Sequence, residues 1–489
     1  MARWLMTEGD AVFDVIVLGG GPAGVAAALR ARELGATVAL IERDRLGGVC
    51  TNDGCVPTRV LAKAARLVRD TEQFTDFGLS GGRPLVDFRR LLDRATATVE
   101  RVHQMKDLPT RLQHAGVHLV AGAGRARFAD VHTIAVGDGR GEFRAERIIV
   151  CVGGHARRLR FPGSERAVTH SDIWALEALP ASAVVVGGSA TGCQLASVLA
   201  AFGSEVTLLE AAGRLLVAED QAVSEAVAAA FRRRGIEVVT GVERLERLER
   251  TDGGALRLHY RALGKTRAND TETVLLAVGW LGNLEELGLD AAGIQTEGGY
   301  IKVDDQLRTS VPHVYAAGDV SGHIMLVQTA EGQARLAAEN AVLAAHAARP
   351  AGVGEPGVGE QWPLAVVPHG GFTDPEYASV GLTQAEAQAV AGGCVVAVVR
   401  YADLERAVID GYTEGFAKLV VSRSNRRILG AHVVGEQAVE VAQIAAATMA
   451  AEQPVERLAG LQLAYPTFTA IIGLAAREAV RELDSTLQA

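Results

Sequence analysis

Two stretches of the sequence each combine an apolar strand, a glycine turn, a helix and a second strand that ends in glutamate. The first, Phe13 to Glu42, reads FDVIVLGGGPAGVAAALRARELGATVALIE and carries Gly19, Gly21 and Gly24 directly after a β-branched run. The first glycine permits a tight turn, the second lets the backbone approach a pyrophosphate, and the third lets the helix pack against the strand. Glu42 is placed to accept hydrogen bonds from an adenosine ribose. The pattern predicts a βαβ dinucleotide site.

The second stretch, Val184 to Glu210, repeats the pattern with Gly187 and Gly192 at the outer glycine positions and Ser189 at the middle one. The serine Cβ predicts a slightly looser fit to a pyrophosphate. Glu210 favours a free ribose 2′-hydroxyl, hence NADH over NADPH, although the nearby Arg214 keeps NADPH open as an alternative. Two such units predict two dinucleotides, and a flavin with a nicotinamide is the economical pair.

Composition limits the classes of partner. The net charge of −9 gives no global attraction to nucleic acid or anionic lipid, and no apolar run predicts a membrane span. We therefore expect a small-molecule partner. The first residues lack the apolar core of a signal peptide, which predicts a cytoplasmic protein. A length of 489 residues predicts roughly three domains.

Cys50 and Cys55 stand five residues apart in GGVCTNDGCVPTR. In a regular α-helix their Cα atoms would lie roughly 8.7 Å apart, beyond the roughly 4.4 to 6.8 Å of a disulfide, so a bond requires a break in the helix. Asn52, Asp53 and Gly54 are residue types that tolerate such a break. In a reducing compartment this bond would be catalytic; the alternative is a pair of reduced core cysteines.

Four motifs resemble those of the class I pyridine nucleotide-disulfide oxidoreductases, the family of dihydrolipoamide dehydrogenase, glutathione reductase and mercuric reductase. They are LGGVCTNDGCVPTR, TSVPHVYAAGDV, FTDPEYASVGLTQAEA and GFAKLVVSRSNRRILGAHVVGEQAVE. The resemblance implies an α/β fold with two Rossmann-like domains and a C-terminal α+β dimerisation domain. The implied segments are an FAD domain at 1–155, an NAD(P) domain at 156–280, a central FAD segment at 281–350 and an interface domain at 362–489. Residues 347–363, rich in Gly and Pro, are expected to form a flexible linker.

The resemblance also implies a homodimer, a redox disulfide between Cys50 and Cys55, and two cofactors, FAD and NAD(H). Cys55 would be the sulfur on the flavin side and Cys50 the outer sulfur that attacks substrate. The implied FAD site comprises Gly19, Gly21, Pro22, Ala23, Gly24, Glu42, Arg43, Gly48, Arg59, Ala123, Gly153, Gly318 and Asp319. The implied NAD site comprises Gly187, Gly188, Ser189, Gly192, Gln194, Glu210 and Gly279. No metal site is expected.

The departures from the family pattern fall at positions of chemical importance. Where the family's disulfide reductases carry HPTxxE, with a His that acts as base from the other subunit, this chain has Tyr465 and Ala470. A phenol with a pKa of about 10 is a poor base at neutral pH, and alanine cannot orient a base. Arg59 and Gln194 replace a Lys and a Glu that pair beside the flavin, so the charge is kept and its partner is lost.

These departures leave several functions open. The primary prediction is an FAD-dependent NAD(P)H oxidoreductase that passes electrons through Cys50 and Cys55 to a quinone, metal thiolate or unusual disulfide, with Tyr465 at the catalytic site. The first alternative is a disulfide reductase of dihydrolipoamide dehydrogenase type with another base, which would bring a lipoyl-bearing protein partner. A mercuric reductase-like enzyme is the second, although no cysteine follows Cys394. The third is a redox-sensing flavoprotein.

Overall fold

The computed structural model describes residues 12–137, 141–347, 366–390 and 393–485. The segment expected to be a linker therefore lies almost wholly outside the described residues. The strands are β1 (Val12–Leu18), β2 (Val38–Ile41), β3 (His118–Val120), β4 (Ala126–Asp130), β5 (Thr133–Val136), β6 (Glu142–Val150), β7 (Gly154–Ala156), β8 (Val168–Thr169), β9 (Ser182–Val186), β10 (Glu205–Leu209), β11 (Glu237–Val239), β12 (Val242–Arg250), β13 (Leu256–Ala262), β14 (Lys265–Thr271), β15 (Thr273–Leu276), β16 (Trp280–Gly282), β17 (Thr296–Glu297), β18 (Tyr300–Ile301), β19 (Val314–Ala316), β20 (His369–Gly371), β21 (Tyr377–Gly381), β22 (Cys394–Arg400), β23 (Phe416–Ser422) and β24 (Ile428–Val434).

The helices alternate with the strands over much of the chain. They are α1 (Pro22–Glu33), α2 (Gly48–Asn52), α3 (Cys55–Asp70), α4 (Phe88–Lys106), α5 (Leu108–His114), α6 (Ala190–Phe202), α7 (Gln221–Arg233), α8 (Val327–Ala347), α9 (Gln384–Val390), α10 (Glu405–Asp410), α11 (Ala438–Ala450), α12 (Val455–Ala459) and α13 (Ala470–Ser485).

The described residues form two compact units. The first draws on residues 12–58, 94–156 and 280–347, and the second on 59–93, 157–279 and 366–485. The first unit is built on a parallel core, β3-β2-β1-β6, with β19 also pairing β6 and with antiparallel β5 and β4 at one side. Val15 and Val17 of β1 face one apolar cluster, which includes α1 and α8, while Ile16 and Leu18 face another. The central strand is thus buried on both faces, as parallel strands generally are.

The second unit contains a parallel sheet and two antiparallel ones. The parallel sheet has the order β11-β10-β9-β15-β8, and β12-β13-β14 form a separate antiparallel sheet. The C-terminal sheet has the order β20-β21-β24-β23-β22 and packs against α11 and α13. The predicted α/β class with two dinucleotide-binding βαβ units and a C-terminal α+β region is confirmed. The four segment boundaries stay predictions.

A buried ion pair joins two elements of the second unit. The Nζ of Lys418, on β23, lies 2.7 Å from Oδ1 of Asp220, the residue before α7, and the two side chains are 6% and 2% exposed. Asp220 also accepts hydrogen bonds from the backbone N–H groups of Ala222 and Gln384. Burial by itself would raise the pKa of Asp220, but these bonds outweigh it and hold the pKa below its usual value. The carboxylate is therefore fully satisfied while charged.

A second buried polar chain lies beside this pair. Glu219 accepts hydrogen bonds from the Oγ of Ser379 (2.6 Å), and its other oxygen lies 3.0 Å from Nε2 of His369. Ser379 contacts Nδ1 of His432 at 3.0 Å, and the other ring nitrogen of His432 lies 3.1 Å from the carbonyl of Leu382. His369 thus belongs to this polar network of the second unit.

Lys418→Met should lower the free energy of unfolding by about 3 kcal/mol, because it leaves the buried Asp220 without its counter-ion. Lys63→Met, the same substitution at an exposed position on α3, should change it by less than about 0.5 kcal/mol. Urea unfolding of both variants measures the difference. Since the folded pKa of Asp220 is depressed, the Lys418 effect should be full at neutral pH and shrink as the pH falls through that folded pKa. An equal loss of unfolding free energy in the two variants would contradict a stabilising role for the Lys418–Asp220 ion pair.

No described helix is both long enough and apolar enough to cross a membrane.

Candidate active site

The turn between β1 and α1 forms the first predicted dinucleotide site. Gly19 adopts φ +97°, and a Cβ there would lie 2.4 Å from the carbonyl oxygen of Cys151. A Cβ on Gly24 would lie 1.7 Å from the carbonyl oxygen of Gly19, so the helix packs tightly on the turn. Gly21 is different, because its Cβ would meet only the Cα of Gly48, at 3.6 Å. The protein's own packing does not require glycine at 21, which fits close approach of a pyrophosphate there.

The carboxyl ends of parallel strands gather the other predicted FAD residues of the first unit. Glu42 follows β2 and accepts hydrogen bonds from the backbone N–H groups of Gly20 (2.6 Å) and Asp44 (2.8 Å), which fix its carboxylate beside the turn. Arg43 forms an exposed ion pair with Asp44 at 2.8 Å. The remaining positions lie after neighbouring strands or at the start of α1: Pro22 and Ala23 in α1, Ala123 after β3, Gly153 after β6, and Gly318 and Asp319 after β19.

The second unit reproduces this construction in the turn between β9 and α6. A Cβ on Gly187 would lie 2.2 Å from the carbonyl of Ala277, and one on Gly192 would lie 1.8 Å from the carbonyl of Gly187. Glu210 accepts hydrogen bonds from the backbone N–H groups of Gly188 (2.5 Å) and Ala212 (2.7 Å), as Glu42 does in the first unit.

Two further predicted NAD residues follow strands of the same parallel sheet, Ser189 after β9 and Gly279 after β15. Ser189 is exposed and precedes the first residue of α6. Gly279 adopts φ +100°, and its carbonyl accepts a hydrogen bond from the backbone N–H of Arg157.

The cysteine pair lies where the helix is broken. α2 ends at Asn52 and α3 begins at Cys55, and the N–H groups of Asp53 and Gly54 both bond to the carbonyl of Val49. Cys50 is half-buried, Cys55 is exposed, and both are thiols in this structure. The ionisation of each thiol depends on the other. The predicted break between the cysteines is present.

The contact between the thiols sets their protonation. The hydrogen bond from Cys50 lowers the pKa of Cys55 to about 7, against the opposing effect of partial burial. The same bond, together with burial, raises the pKa of Cys50 well above its usual range. In the reduced pair, therefore, Cys55 is the sulfur that ionises first, and the proton stays on Cys50. A thiolate is the nucleophilic form of cysteine, so the pair is suited to redox exchange.

Lys106, Asp319 and Glu331 supply further charge around the pair. The positive charge of Lys106 lowers the pKa of both thiols, whereas Asp319 raises that of Cys55 and Glu331 that of Cys50. Lys106 also donates a hydrogen bond of 3.1 Å to Oγ1 of Thr51, between the two cysteines. Lys106 could not be predicted as part of this site, since no spacing in the sequence connects it to the cysteine motif.

In the second unit, Arg59 and Gln194 both contact Phe372. The guanidinium carbon of Arg59 lies 3.3 Å from the centroid of the Phe372 ring, and Oε1 of Gln194 accepts a hydrogen bond of 3.2 Å from the Phe372 backbone N–H. Partial desolvation lowers the pKa of Arg59, and the carboxylates of Glu376 and Glu440 oppose this. The predicted loss of a carboxylate partner at position 194 is thus accompanied by a cation–π contact between Arg59 and Phe372. Phe372 opens the quoted motif FTDPEYASVGLTQAEA, but no pattern in that motif marks its ring as a partner for Arg59.

Tyr465 is 75% exposed, and Ala470 begins α13. The hydroxyl of Thr467, between them, bonds to the carbonyl of Ala464 and to Thr469. Nothing in this segment replaces the orienting carboxylate that glutamate would supply at 470.

The other cysteines differ from the pair. Cys151 and Cys193 are buried, and burial raises the pKa of Cys151 to about 12 and that of Cys193 further. They are inert core residues at neutral pH. Within the described ranges, no group of three or more His, Cys, Asp and Glu side chains is arranged to hold a metal ion.

The sequence matches family models over most of its length. The pyridine nucleotide-disulphide oxidoreductase model matches residues 13–334, and the model of that family's dimerisation domain matches 367–476. The chain belongs to this family. The dimerisation-domain match supports a homodimer, and the resemblance inferred from the motifs is confirmed.

The chain is similar in sequence to dihydrolipoyl dehydrogenases and to a mercuric reductase. A dihydrolipoyl dehydrogenase of Zymomonas mobilis is 33% identical over 443 residues, which cover 88% of this chain and 90% of that protein. A mercuric reductase of Bacillus cereus is 32% identical over 449 residues, covering 91% and 68%. Among solved structures, the Cu(II) complex of the HOCl-induced flavoprotein disulfide reductase RclA from Escherichia coli aligns with a TM-score of 0.80 at 24% identity, covering 96% and 99%. That likeness supports the fold.

As a pyridine nucleotide-disulphide oxidoreductase, the chain is an FAD-dependent enzyme that uses NAD(P)H. The two glycine turns and their glutamates fit one dinucleotide each. The assignment of individual residues to FAD or NAD stays a prediction.

Gly21→Ala and Gly24→Ala should separate cofactor approach from packing. Gly21→Ala should leave the unfolding midpoint unchanged at saturating FAD but weaken FAD retention by about tenfold or more, since its Cβ would meet the pyrophosphate. Gly24→Ala should destabilise the protein by about 2 kcal/mol even at saturating FAD, because its Cβ would collide with backbone. FAD content after gel filtration and thermal midpoints measure the two effects. If Gly21→Ala retains as much FAD as the unsubstituted protein, the pyrophosphate does not approach the backbone at residue 21.

Proposed function

We propose that this enzyme passes electrons from NADH, through FAD and the Cys50–Cys55 pair, to a quinone, a metal thiolate or an unusual disulfide. The observation that carries the proposal is the combination of a poised thiol pair with a C-terminal segment that lacks the family's base. The pKa of Cys55 is about 7, so a thiolate is available without a histidine. Tyr465 and Ala470 cannot supply the general base and its partner carboxylate.

When bound, FAD would supply the two-electron chemistry that links hydride loss from the nicotinamide to reduction of the disulfide. The overall balance is NADH and the Cys50–Cys55 disulfide on one side, with NAD⁺, one thiol at Cys50 and one thiolate at Cys55 on the other. The S–S bond breaks and each sulfur gains one electron. The protein's part is to hold the remaining proton on Cys50 while Cys55 stays a thiolate. The acceptor then takes the electron pair and the S–S bond re-forms.

We propose that the glycine turn between β9 and α6 binds NADH in preference to NADPH. Its glutamate, Glu210, is held in place by two backbone N–H groups and would repel a 2′-phosphate. Arg214 donates hydrogen bonds to the carbonyls of Leu216, Val217 and Glu219, so its guanidinium is engaged within its own loop. This engagement argues against Arg214 as a 2′-phosphate ligand.

Reduction of lipoamide is the second candidate. Several dihydrolipoyl dehydrogenases are 29–34% identical to this chain over most of its length, which favours it and a lipoyl-bearing partner protein. A metal thiolate remains among the proposed acceptors for two reasons. Tyrosine stands at position 465, and a mercuric reductase is among the relatives of this chain. A redox sensor with little turnover is the non-catalytic alternative, which steady-state turnover with any of these acceptors would exclude.

Cys50→Ser should abolish reduction of any acceptor that uses the dithiol and leave electron transfer directly from reduced FAD. Anaerobic NADH titration of the unsubstituted enzyme should produce a thiolate-to-flavin charge-transfer band before the flavin bleaches fully. Steady-state assays with a quinone, lipoamide and a mercuric thiolate then identify the acceptor. Cys394→Ser, at a half-buried cysteine on β22, is the matched control and should change neither readout. If the flavin bleaches with no charge-transfer band, the dithiol is not in the electron path.

Tyr465→His combined with Ala470→Glu should raise lipoamide reduction by about tenfold or more, because a general base commonly contributes about 10² to 10⁴ in rate. Tyr465→His alone should give a smaller gain, since nothing orients the imidazole. Tyr465→Phe, which keeps the ring without adding a base, is the control. The measurement is kcat/KM for lipoamide and for a quinone in parallel. No gain in either histidine variant would show that the lost dyad does not direct the choice of acceptor.

A further inference from the structure

We propose that Lys106 is the built-in cation that stabilises the thiolate of the reduced Cys50–Cys55 pair. Its role in turnover rests on the proposed function, whereas its effect on the thiols does not depend on the acceptor.

A hydrogen bond joins Lys106 to the segment from Cys50 to Cys55, which we call the redox turn. Lys106 is the last residue of α4, and its Nζ donates a hydrogen bond of 3.1 Å to Oγ1 of Thr51. Thr51 is a fully buried residue of α2 and lies between the two cysteines in the sequence. A neutral hydroxyl accepts the bond, so this contact orients the ammonium without neutralising its charge.

A second bond fastens the same end of α4 to the next residue of α2. Nε2 of His103 lies 2.7 Å from Oδ1 of Asn52, whose Nδ2 donates to the carbonyl of Leu46 at 3.2 Å. Consecutive residues of α2 are therefore held by two side chains one turn apart on α4. This double attachment reduces the freedom of Lys106 and so favours an oriented charge over a solvated one.

The charges around the turn leave Lys106 as the group that favours ionisation of both sulfurs. Asp319 and Glu331 act in the opposite sense, and burial raises the pKa of Asp319 itself. Burial, followed by the charge of Arg45, lowers the pKa of His103, so this imidazole is mainly neutral at neutral pH. Arg45, the other cation near His103, forms an ion pair of 2.6 Å with Glu100, whereas Lys106 donates its hydrogen bond to α2 itself.

Reduction of the disulfide creates a negative charge that the ammonium of Lys106 can stabilise. Two-electron reduction by NADH breaks the S–S bond and leaves one proton shared by two sulfurs, with net negative charge on the pair. An oriented ammonium stabilises that charge, and the proton stays on Cys50 in its bond to Cys55. Lys106 is thus a positioning residue that supplies electrostatically part of what a base on the C-terminal segment would supply by proton transfer.

The test uses the holoenzyme reduced with dithiothreitol, so that it does not depend on NADH turnover. Thiolate content is followed from pH 5 to 10 by the rate of iodoacetamide alkylation, with peptide mass spectrometry to assign Cys50 and Cys55, and by the charge-transfer absorbance. Lys106→Met should raise the midpoint of thiolate formation by about one pH unit, the usual size of an effect from one nearby opposite charge. Lys106→Arg should restore most of the shift. Arg101→Met, which removes an exposed charge from the same helix, is the matched control and should leave the midpoint unchanged.

Thr51→Val keeps the charge and removes only the orienting hydroxyl, and it should shift the midpoint in the same direction by less. This variant also serves if Lys106→Met does not fold. A midpoint in Lys106→Met equal to that of the unsubstituted enzyme, an equal shift in Arg101→Met, or an unchanged midpoint in Thr51→Val would each overturn the proposal. Upward shifts together with an absence of NADH-driven charge transfer would support Lys106 while contradicting the proposed function.

Discussion

The whole construction depends on how closely a helix can approach the strand that precedes it. In both βαβ units the third glycine lies against the carbonyl of the first, with less than 2 Å between that oxygen and any Cβ built on the later residue. This contact points the first turn of each helix, with its free N–H groups, at the carboxyl edge of a parallel sheet. Neighbouring strands end at the same edge, so residues from remote parts of the first unit meet there. The redox turn follows within the same unit, six residues beyond Glu42 at the start of α2.

Much of this could be predicted from the sequence because it depends on local patterns. Glycine spacing after an apolar strand identified both βαβ units, and the residue types between Cys50 and Cys55 indicated the break in the helix. Glu42 and Glu210 were located by their distance from the glycine turns. Each of these inferences concerns residues on one or two adjacent elements, where spacing determines geometry.

The remaining features depend on contacts between segments far apart in the sequence. Lys106 meets Thr51 only because the end of α4 packs beside α2, and Phe372 receives Arg59 only after the chain has passed through an entire βαβ unit. The pairing of Lys418 with Asp220 is of the same kind. Residue type alone marks none of these side chains, since most lysines and phenylalanines have no such role. The sequence pointed to a lost partner for Arg59 but could not indicate that an aromatic ring had taken its place.

That replacement changes how the arginine responds to its surroundings. An ion pair weakens as salt screens it, and it ends when acid protonates the carboxylate. A guanidinium seated 3.3 Å over a ring centroid depends on the quadrupole of the ring, and phenylalanine has no proton to gain. The contact between Arg59 and the ring therefore persists in acid, where a lysine–glutamate pair at the same place would break, although the attraction from the carboxylates of Glu376 and Glu440 is lost there.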